Sequence, residues 1–203
     1  NNQNYTFDAV LYATGRKANT ANIGLEHTDI ATNERGAIVV NDTCESSVPG
    51  VYAVGDVNGG PQFTYVSLDD FRIVFGTLTG NSQYTLKDRK NIPYTTFLTP
   101  PLSRVGLTEE DAINQGYTVK TKEILVATMP RAHVNDYLKG AFKIVVDANN
   151  DLILGATLYS QGAEELINLI KMAMDNNIPY TYFKNQIFTH PTMAENLNDL
   201  CNF

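Results

Sequence analysis

The chain has 203 residues, of which 43% are hydrophobic and 18% are charged, and such fractions are typical of folded globular domains rather than of disordered chains. The formal net charge is −7, from 15 basic and 22 acidic side chains, so neither nucleic acid nor an anionic membrane is an expected partner. No apolar run reaches the roughly 18 residues that cross a bilayer, and the first residues lack the features of a secretion signal, so we expect a cytoplasmic protein.

Cysteine and histidine spacings exclude two kinds of site. Cys44 and Cys201 are the cysteines of the sequence, and neither lies in a C-x-x-C or C-x-x-x-x-C pattern. The sequence therefore contains no dithiol redox pair and no cysteine-based zinc site, and redox chemistry would need other cysteines. His27 and His133 lie far apart without neighbours at ligand spacing, so we predict no metal site.

Three apolar runs predict strands in the first half of the chain. Residues 5–13 become apolar on both alternations before they stop at Thr14-Gly15-Arg16, which is typical of a central strand covered on both faces. Residues 37–40 and 51–54 are shorter runs bounded by turn-forming residues, and we predict short strands there.

A change to helical spacing follows the turn Gly59-Gly60-Pro61. Four apolar side chains share one helical face: Leu68, Phe71, Phe75 and Leu78. Phe71 and Phe75 are expected in the core. With Gly80 as a left-handed stop, the four predict a helix from about Thr64 to Thr79. The polar stretch at residues 81–93 shows no period and is a candidate linker, so we place a domain boundary near Asn91.

The second half mixes antiparallel strands with helices. Thr108 can cap a short helix, and the turn at residues 147–151 can close a hairpin. The predicted elements are a helix at 109–115, a strand at 117–128, paired strands at 140–146 and 152–159, and a helix at 163–174. This pattern indicates an α+β unit with an antiparallel sheet.

A carboxylate after the third predicted strand is the first candidate site. Gly55-Asp56 is most simply a plain turn. Alternatively, the Asp56 carboxylate accepts hydrogen bonds from sugar or ribityl hydroxyls, and Gly55 lets a ligand approach the backbone. The start of the following helix, near Thr64 and Tyr65, is a positive end that suits an anionic or electron-rich group of the same ligand.

His190 and Glu195 are the second candidate site. Residues 192–195 fit an S/T-x-x-E capping box in which Glu195 bonds the Thr192 amide, and His190 is then an ordinary residue held extended by Pro191. The other interpretation is an acid/base pair, since histidine titrates near neutral pH and a carboxylate selects its tautomer. Spacing alone favours the capping box.

The order and spacing of these segments resemble class I pyridine nucleotide-disulfide oxidoreductases, the family of glutathione reductase, dihydrolipoamide dehydrogenase and mercuric reductase. The family's second flavin segment is matched by residues 13–16, 36–42 and 48–56, and its dimerisation domain by residues 105–112, 139–145, 154–156 and 190–195. The resemblance implies an α+β dimerisation domain at residues 91–203. Residues 1–90 would hold the end of the nicotinamide domain and a partial α/β FAD-binding segment.

The resemblance also implies roles for individual residues. The expected FAD contacts are Gly15, Gly55, Asp56 and Thr64. Among these, Asp56 would bind the ribityl chain and the helix start at Thr64 would face the flavin ring. His190 would be the acid/base for the dithiol of the partner subunit in a homodimer, with Glu195 orienting it, and this implication reverses the preference for a simple capping box.

Several parts of the family have no counterpart in this sequence: the first flavin motif G-x-G-x-x-G, the redox-active C-x-x-x-x-C and most of the nicotinamide domain. We therefore expect a carboxyl-terminal fragment that is inactive by itself and binds FAD weakly. The intact enzyme would move electrons from NAD(P)H through FAD to a cysteine pair, and then to a small oxidant or a disulfide.

Residues 60–72 and 195–200 most resemble the bacterial reactive-chlorine-resistance flavoproteins, which reduce oxidants such as hypothiocyanous acid. A dihydrolipoamide dehydrogenase-like enzyme or a metal-ion reductase is the alternative within the family. Mercuric reductase fits less well, because it has a carboxyl-terminal cysteine pair and no histidine at the position of His190. A non-catalytic dimerisation module is the alternative from another functional class.

Overall fold

The structure is a computed structural model that describes residues 3–203. The chain divides into two compact units, of which the first ends at Arg89 and the second begins at Lys90. In this part of the chain, no helix has the length and apolar character that a membrane span requires.

The first unit consists mainly of loops and turns, with one long helix, α1 (Thr64–Thr79). Short 3-10 turns lie at Leu25–His27, Gly55–Asn58 and Leu86–Asp88. Isolated bridges join Thr32 to Ile38 and Glu45 to Tyr52 in antiparallel fashion.

The strands predicted for this unit are wrong. Residues 5–13 form no strand and are exposed, and single bridges replace the strands expected at 37–40 and 51–54. A strand needs a neighbour to satisfy its backbone N–H and C=O groups, and no strand of the described chain pairs with residues 5–13. Apolar character alone was therefore insufficient to form a sheet here.

Helix α1 has the predicted bounds but buries a different face. Gly80 ends it in the left-handed conformation, with φ +67°. The buried residues are Val66, Asp70, Ile73 and Gly76, whereas Phe71 and Phe75 are each 54% exposed, so their assignment to the core is wrong. The buried face includes Gly76, where a β-carbon would stand 2.6 Å from Ser82 Cβ, so the close contact at this position requires glycine.

The segment predicted as a linker is partly folded onto the first unit. The Leu86 amide donates to the Asp42 carbonyl at 2.9 Å, and Arg89 forms ion pairs with Asp69 and Asp70. Residues up to Arg89 therefore pack with α1 rather than spanning open solvent.

The second unit is built on a five-stranded antiparallel sheet. Its strands are β1 (Tyr94–Thr96), β2 (Leu102–Gly106), β3 (Val119–Leu125), β4 (Ala141–Asp147) and β5 (Ile153–Tyr159). Their order in the sheet is β1-β2-β5-β4-β3. The predicted hairpin is confirmed as β4–β5, with Phe142 opposite Leu158, and the α+β architecture expected for this half is confirmed.

Helices cover this sheet and close its core. They are α2 (Glu109–Asn114), α3 (Pro130–Val134), α4 (Ala163–Asp175), α5 (Tyr180–Asn185) and α6 (Leu197–Leu200). Thr108 caps α2 as predicted, because its Oγ1 accepts a hydrogen bond from the Asp111 amide at 3.0 Å. Helix α4 packs on β2 and β5, and Leu197 and Leu200 of α6 join the same core.

Candidate functional site

The turn that carries Asp56 lies against helix α1. Gly55 has a φ of +75°, and a β-carbon built on it would stand 2.7 Å from Ser67 Oγ and 3.2 Å from Ser67 Cβ. Both the backbone conformation and the close packing on α1 therefore require glycine. We expected Gly55 to admit a ligand, whereas the structure places the helix on this side of it.

Asp56 is half exposed and has a cationic neighbour. Its Oδ2 lies 3.9 Å from Arg16 Nη1, and Arg16 Nη2 donates to the Gln62 carbonyl at 3.4 Å. An exposed ion pair at this distance contributes little to stability. The carboxylate can therefore exchange this partner for the hydroxyl groups of a ligand.

A groove of about 760 Å³ opens beside Asp56. Its charged lining residues are Arg16, Lys17, Arg35 and Asp56, and Gly59 and Gly60 also line it. Cations suit phosphate groups, a carboxylate suits sugar hydroxyls, and glycines allow a ligand to approach the backbone. This set of donors and acceptors fits a dinucleotide such as FAD.

Two lining cations were not found from the sequence. Lys17 follows the Gly15-Arg16 motif, and Arg35 lies in the turn that the bridge between Thr32 and Ile38 closes, so neither belongs to a recognisable ligand motif. The sequence signal available for these two residues was their positive charge, because acidic residues outnumber basic ones in this chain of net charge −7. The fold, rather than the local pattern, brings them to the same groove as Asp56.

Gly15 and Thr64, the remaining predicted cofactor contacts, are both exposed. Gly15 has a φ of +126°. Thr64 begins α1. The first turn of α1 contains no acidic residue that could neutralise the positive end of the helix dipole.

His190 and Glu195 are in direct contact in the second unit. His190 Nδ1 lies 2.8 Å from Glu195 Oε2. The other carboxylate oxygen, Oε1, accepts a hydrogen bond from the Thr192 amide at 3.0 Å, and Thr192 Oγ1 accepts one from the Glu195 amide at 3.2 Å. The capping box and the His–Glu pair exist together, because each uses a different oxygen of one carboxylate.

The pair is exposed on its histidine side. The His190 side chain is 67% exposed and that of Glu195 is 20% exposed. The hydrogen bond from His190, followed by that from the Thr192 amide, lowers the pKa of Glu195 below its ordinary value of 4.5. These bonds favour the carboxylate in the folded state, so their contribution to stability is complete above pH 4.5 and is lost as the pH falls through the lowered pKa.

Two buried residues that directly follow Glu195 hold it in place. Asn196 Nδ2 donates to the Thr192 and Met193 carbonyls at 3.2 Å each, and Leu197 is fully buried in the core. The glutamate is therefore held on a fixed support, with the exposed imidazole beside it.

Neither cysteine is suited to redox chemistry. Cys44 and Cys201 are buried and unpaired. Burial, with a smaller effect of the Asp70 charge, raises the pKa of Cys44 to about 11, and burial raises that of Cys201 to about 12. Thiols with such pKa values hold their protons at neutral pH.

Among residues 3–203, no group of three or more histidine, cysteine, aspartate and glutamate side chains is placed to hold a metal ion.

Sequence comparison relates both halves of the chain to one family. Residues 92–201 match the pyridine nucleotide-disulphide oxidoreductase dimerisation domain, and residues 1–70 match the pyridine nucleotide-disulphide oxidoreductase pattern. The probable pyridine nucleotide-disulfide oxidoreductase RclA of Escherichia coli is 48% identical over 95% of this chain and 44% of its own length. A mercuric reductase of Staphylococcus aureus is 35% identical over 94% of this chain and 35% of its own length. A dihydrolipoyl dehydrogenase of Mycobacterium tuberculosis is 32% identical over 95% of this chain and 41% of its own length.

Solved structures share this fold. The HOCl-induced flavoprotein disulfide reductase RclA from Escherichia coli matches with a TM-score of 0.90 and 47% identity, over 93% of this chain and 43% of that one. LpdA from Mycobacterium tuberculosis, at 22% identity, matches in fold with a TM-score of 0.82, over 91% of this chain and 40% of that one. The chain spans less than half the length of these relatives. With both halves matched in sequence and the fold shared, the chain belongs to the pyridine nucleotide-disulphide oxidoreductase family.

Proposed function

We propose that this chain acts as the carboxyl-terminal part of a FAD-dependent NAD(P)H:disulfide or oxidant oxidoreductase. The first unit would supply part of the flavin site, and the second unit the interface of a homodimer and an acid/base pair for the partner subunit. The observation that carries the proposal is the 2.8 Å contact between His190 Nδ1 and Glu195 Oε2, with the imidazole exposed.

The contact with Glu195 selects the tautomer of His190. A carboxylate accepts hydrogen bonds and does not donate them, so Nδ1 carries the proton and Nε2 keeps its lone pair. Nε2 can take a proton from a thiol, which produces the nucleophilic thiolate, and can return the proton later. The charge of Glu195 stabilises the imidazolium that exists between these two steps.

The groove in the first unit suits FAD. Asp56 would accept hydrogen bonds from ribityl hydroxyls, Arg16 would neutralise phosphate charge, and the start of α1 at Thr64 would face the electron-rich part of the flavin ring. Bound FAD would supply two-electron transfer between the nicotinamide and a cysteine pair. Binding by these residues alone is expected to be weak, because the pyrophosphate contacts of a G-x-G-x-x-G motif lie outside this sequence.

We propose hypothiocyanous acid or a related oxidant as the substrate, on the basis of similarity to the HOCl-induced disulfide reductase RclA. NAD(P)H and HOSCN would yield NAD(P)⁺, SCN⁻ and water. The test is to compare kcat/KM of the flavoprotein for hypothiocyanous acid, lipoamide and mercuric ion. Preference for lipoamide or mercuric ion would support a dihydrolipoamide dehydrogenase-like enzyme or a metal-ion reductase instead.

Glu195→Gln is expected to reduce turnover of the flavoprotein by roughly tenfold or more, with an altered pH profile between about pH 6 and 9. Glutamine can keep its Oε1 bond to the Thr192 amide, so the melting temperature at neutral pH should change little. Its NH₂ group would then donate to His190 Nδ1, which places the proton on Nε2 and removes the base. Steady-state rates and thermal melts check both expectations.

Unchanged turnover of Glu195→Gln across this pH range would leave the capping box as the sole role of Glu195. A matched control is Asp111→Asn, because Asp111 forms a capping box with Thr108 at the start of α2 and contacts no histidine. This variant should keep full turnover.

The second unit is expected to self-associate through a symmetric face, as its match to a dimerisation domain suggests. Sedimentation at tens of micromolar, where an interface of standard size is normally populated, should give a dimer, and a monomer at this concentration would contradict the homodimer.

A non-catalytic dimerisation module is the second candidate function, favoured by the family match and by the large hydrophobic core of the second unit. The absorption spectrum separates the two candidates. A flavin band in the purified protein, or one that appears when excess FAD is added, supports the oxidoreductase, whereas a dimer that takes up no added FAD supports the module.

A further inference from the structure

A buried carboxylate of α1 bonds the turn that carries Asp56. The Asp70 side chain is 1% exposed. Its Oδ2 accepts hydrogen bonds from the Gly55 amide at 2.7 Å and from Asn58 Nδ2 at 2.9 Å. One oxygen of Asp70 therefore holds both ends of the Gly55–Asn58 turn.

The other oxygen of Asp70 is held by Arg89. Arg89 Nη2 donates to Asp70 Oδ1 and Arg89 Nε donates to Asp69 Oδ2 at 2.7 Å. The guanidinium is 11% exposed; burial lowers the pKa of Arg89, but hydrogen bonds and charges of the two aspartates outweigh this effect and raise it. Arg89 thus neutralises a buried charge that would be costly without a partner.

The bonds continue from Asp70 towards the groove. Asn58, whose Nδ2 bonds Asp70, accepts a hydrogen bond from the Gly60 amide through its Oδ1 at 3.0 Å. Gly60 lines the groove beside Asp56. Gly55 has no side chain with which to hold its own position, so the bond from its amide to Asp70 and its packing on Ser67 fix it.

We propose that Asp70 and Arg89 are positioning residues for the flavin site. They hold the Gly55–Asn58 turn on α1, so that Asp56 and the start of α1 at Thr64 keep one fixed separation. This inference rests on the proposed function, because it takes the groove to be a flavin site. A displacement of about 1 Å at such a site is enough to reduce binding or rate substantially.

The test uses Asp70→Asn and Arg89→Lys in the flavoprotein that carries this chain. Asparagine keeps the shape of the side chain but has one acceptor oxygen instead of two, and lysine keeps the charge but loses the fork that spans Asp69 and Asp70. Arg72→Gln is the matched control, because Arg72 pairs with Asp69 at 3.9 Å and has no bond to Asp70. The measurements are FAD dissociation constants, flavin absorption spectra and hydrogen exchange of the Gly55 amide, all well below the melting temperature.

Asp70→Asn is expected to raise the FAD dissociation constant at least tenfold, to shift the flavin band and to speed exchange of the Gly55 amide. Arg89→Lys should change the same quantities in the same direction by a smaller factor, and Arg72→Gln should leave them within about twofold. If Asp70→Asn does not fold, Arg89→Lys decides. A lower melting temperature with unchanged FAD affinity would overturn the proposal, because it shows a purely structural role.

Failure of the proposed function has a different signature. If the unsubstituted flavoprotein binds no FAD, the flavin site is wrong whatever the variants do. Exchange of the Gly55 amide then still tests the bond itself in Asp70→Ala, which has no acceptor oxygen: faster exchange supports the hold of Asp70 on the turn, and unchanged exchange overturns it.

Discussion

His190→Ala is expected to lower turnover of the flavoprotein by a factor of about 10² to 10⁴, the range over which a positioned acid/base contributes. The imidazole is exposed beside a fixed carboxylate, so its removal costs little packing, and the melting temperature should change by no more than a surface substitution allows. Single-turnover reduction of the flavin by NAD(P)H should remain fast, because the proposed role of His190 is in the later thiol chemistry. Stopped-flow absorbance separates this step from the later thiol chemistry.

His133→Ala is the control for this prediction. His133 is also an exposed histidine of the second unit, but its Nε2 bonds the Ala127 carbonyl at 2.8 Å rather than a carboxylate. Turnover should be unchanged in His133→Ala. Combining Glu195→Gln with His190→Ala should add little further loss, since the two residues act as a unit. If His190→Ala, Glu195→Gln and His133→Ala all reduce turnover only slightly and to a similar extent, His190 is not the acid/base.

Phe142→Ala is expected to destabilise the second unit by about 3–5 kcal/mol, the usual cost of deleting a large aromatic side chain from a packed core. Phe142 is fully buried in the β4–β5 hairpin, opposite Leu158. The same core contains Leu197 and Leu200, so its loss should also disturb the segment that carries Glu195. Urea unfolding of the purified chain measures the change as a lower midpoint.

Phe97→Ala is the matched control, because Phe97 lies in the same unit but is 79% exposed. Its free energy of unfolding should stay within about 0.5 kcal/mol of the parent chain. Equal destabilisation by the two substitutions would show that the core is not arranged as described.

Helix α1 shows what the sequence could and could not predict. The Gly59-Gly60-Pro61 turn and Gly80 mark its ends without reference to the rest of the chain, because they act through local backbone geometry. The buried face could not be predicted, since Leu68 and Phe71 compete with Val66 and Ile73 for the core. Which face is buried depends on the packing partners, and a buried Asp70 contradicts the ordinary preference of charged residues for water.

The candidate site shows a similar division. From the spacing alone, a capping box and a His–Glu pair are competing interpretations of Glu195, but two oxygens on one carboxylate let both occur. Nothing in the spacing of Asp70 and Arg89 predicts their contact, because Arg89 lies within a polar segment without a period. Such long-range ion pairs arise from the fold and have no local signature.

Mixed dimers test the central claim that His190 serves the thiols of the partner subunit. One parent homodimer carries His190→Ala, and the other has serine in place of the redox cysteines of the flavoprotein; both should be nearly inactive. After subunit exchange, one site of each mixed dimer combines intact cysteines with His190 from the other subunit. The account predicts recovery of roughly a quarter of wild-type turnover, since about half of the dimers are mixed and each has one complete site. Mixed dimers that form, as seen by native mass spectrometry, but stay inactive would contradict it.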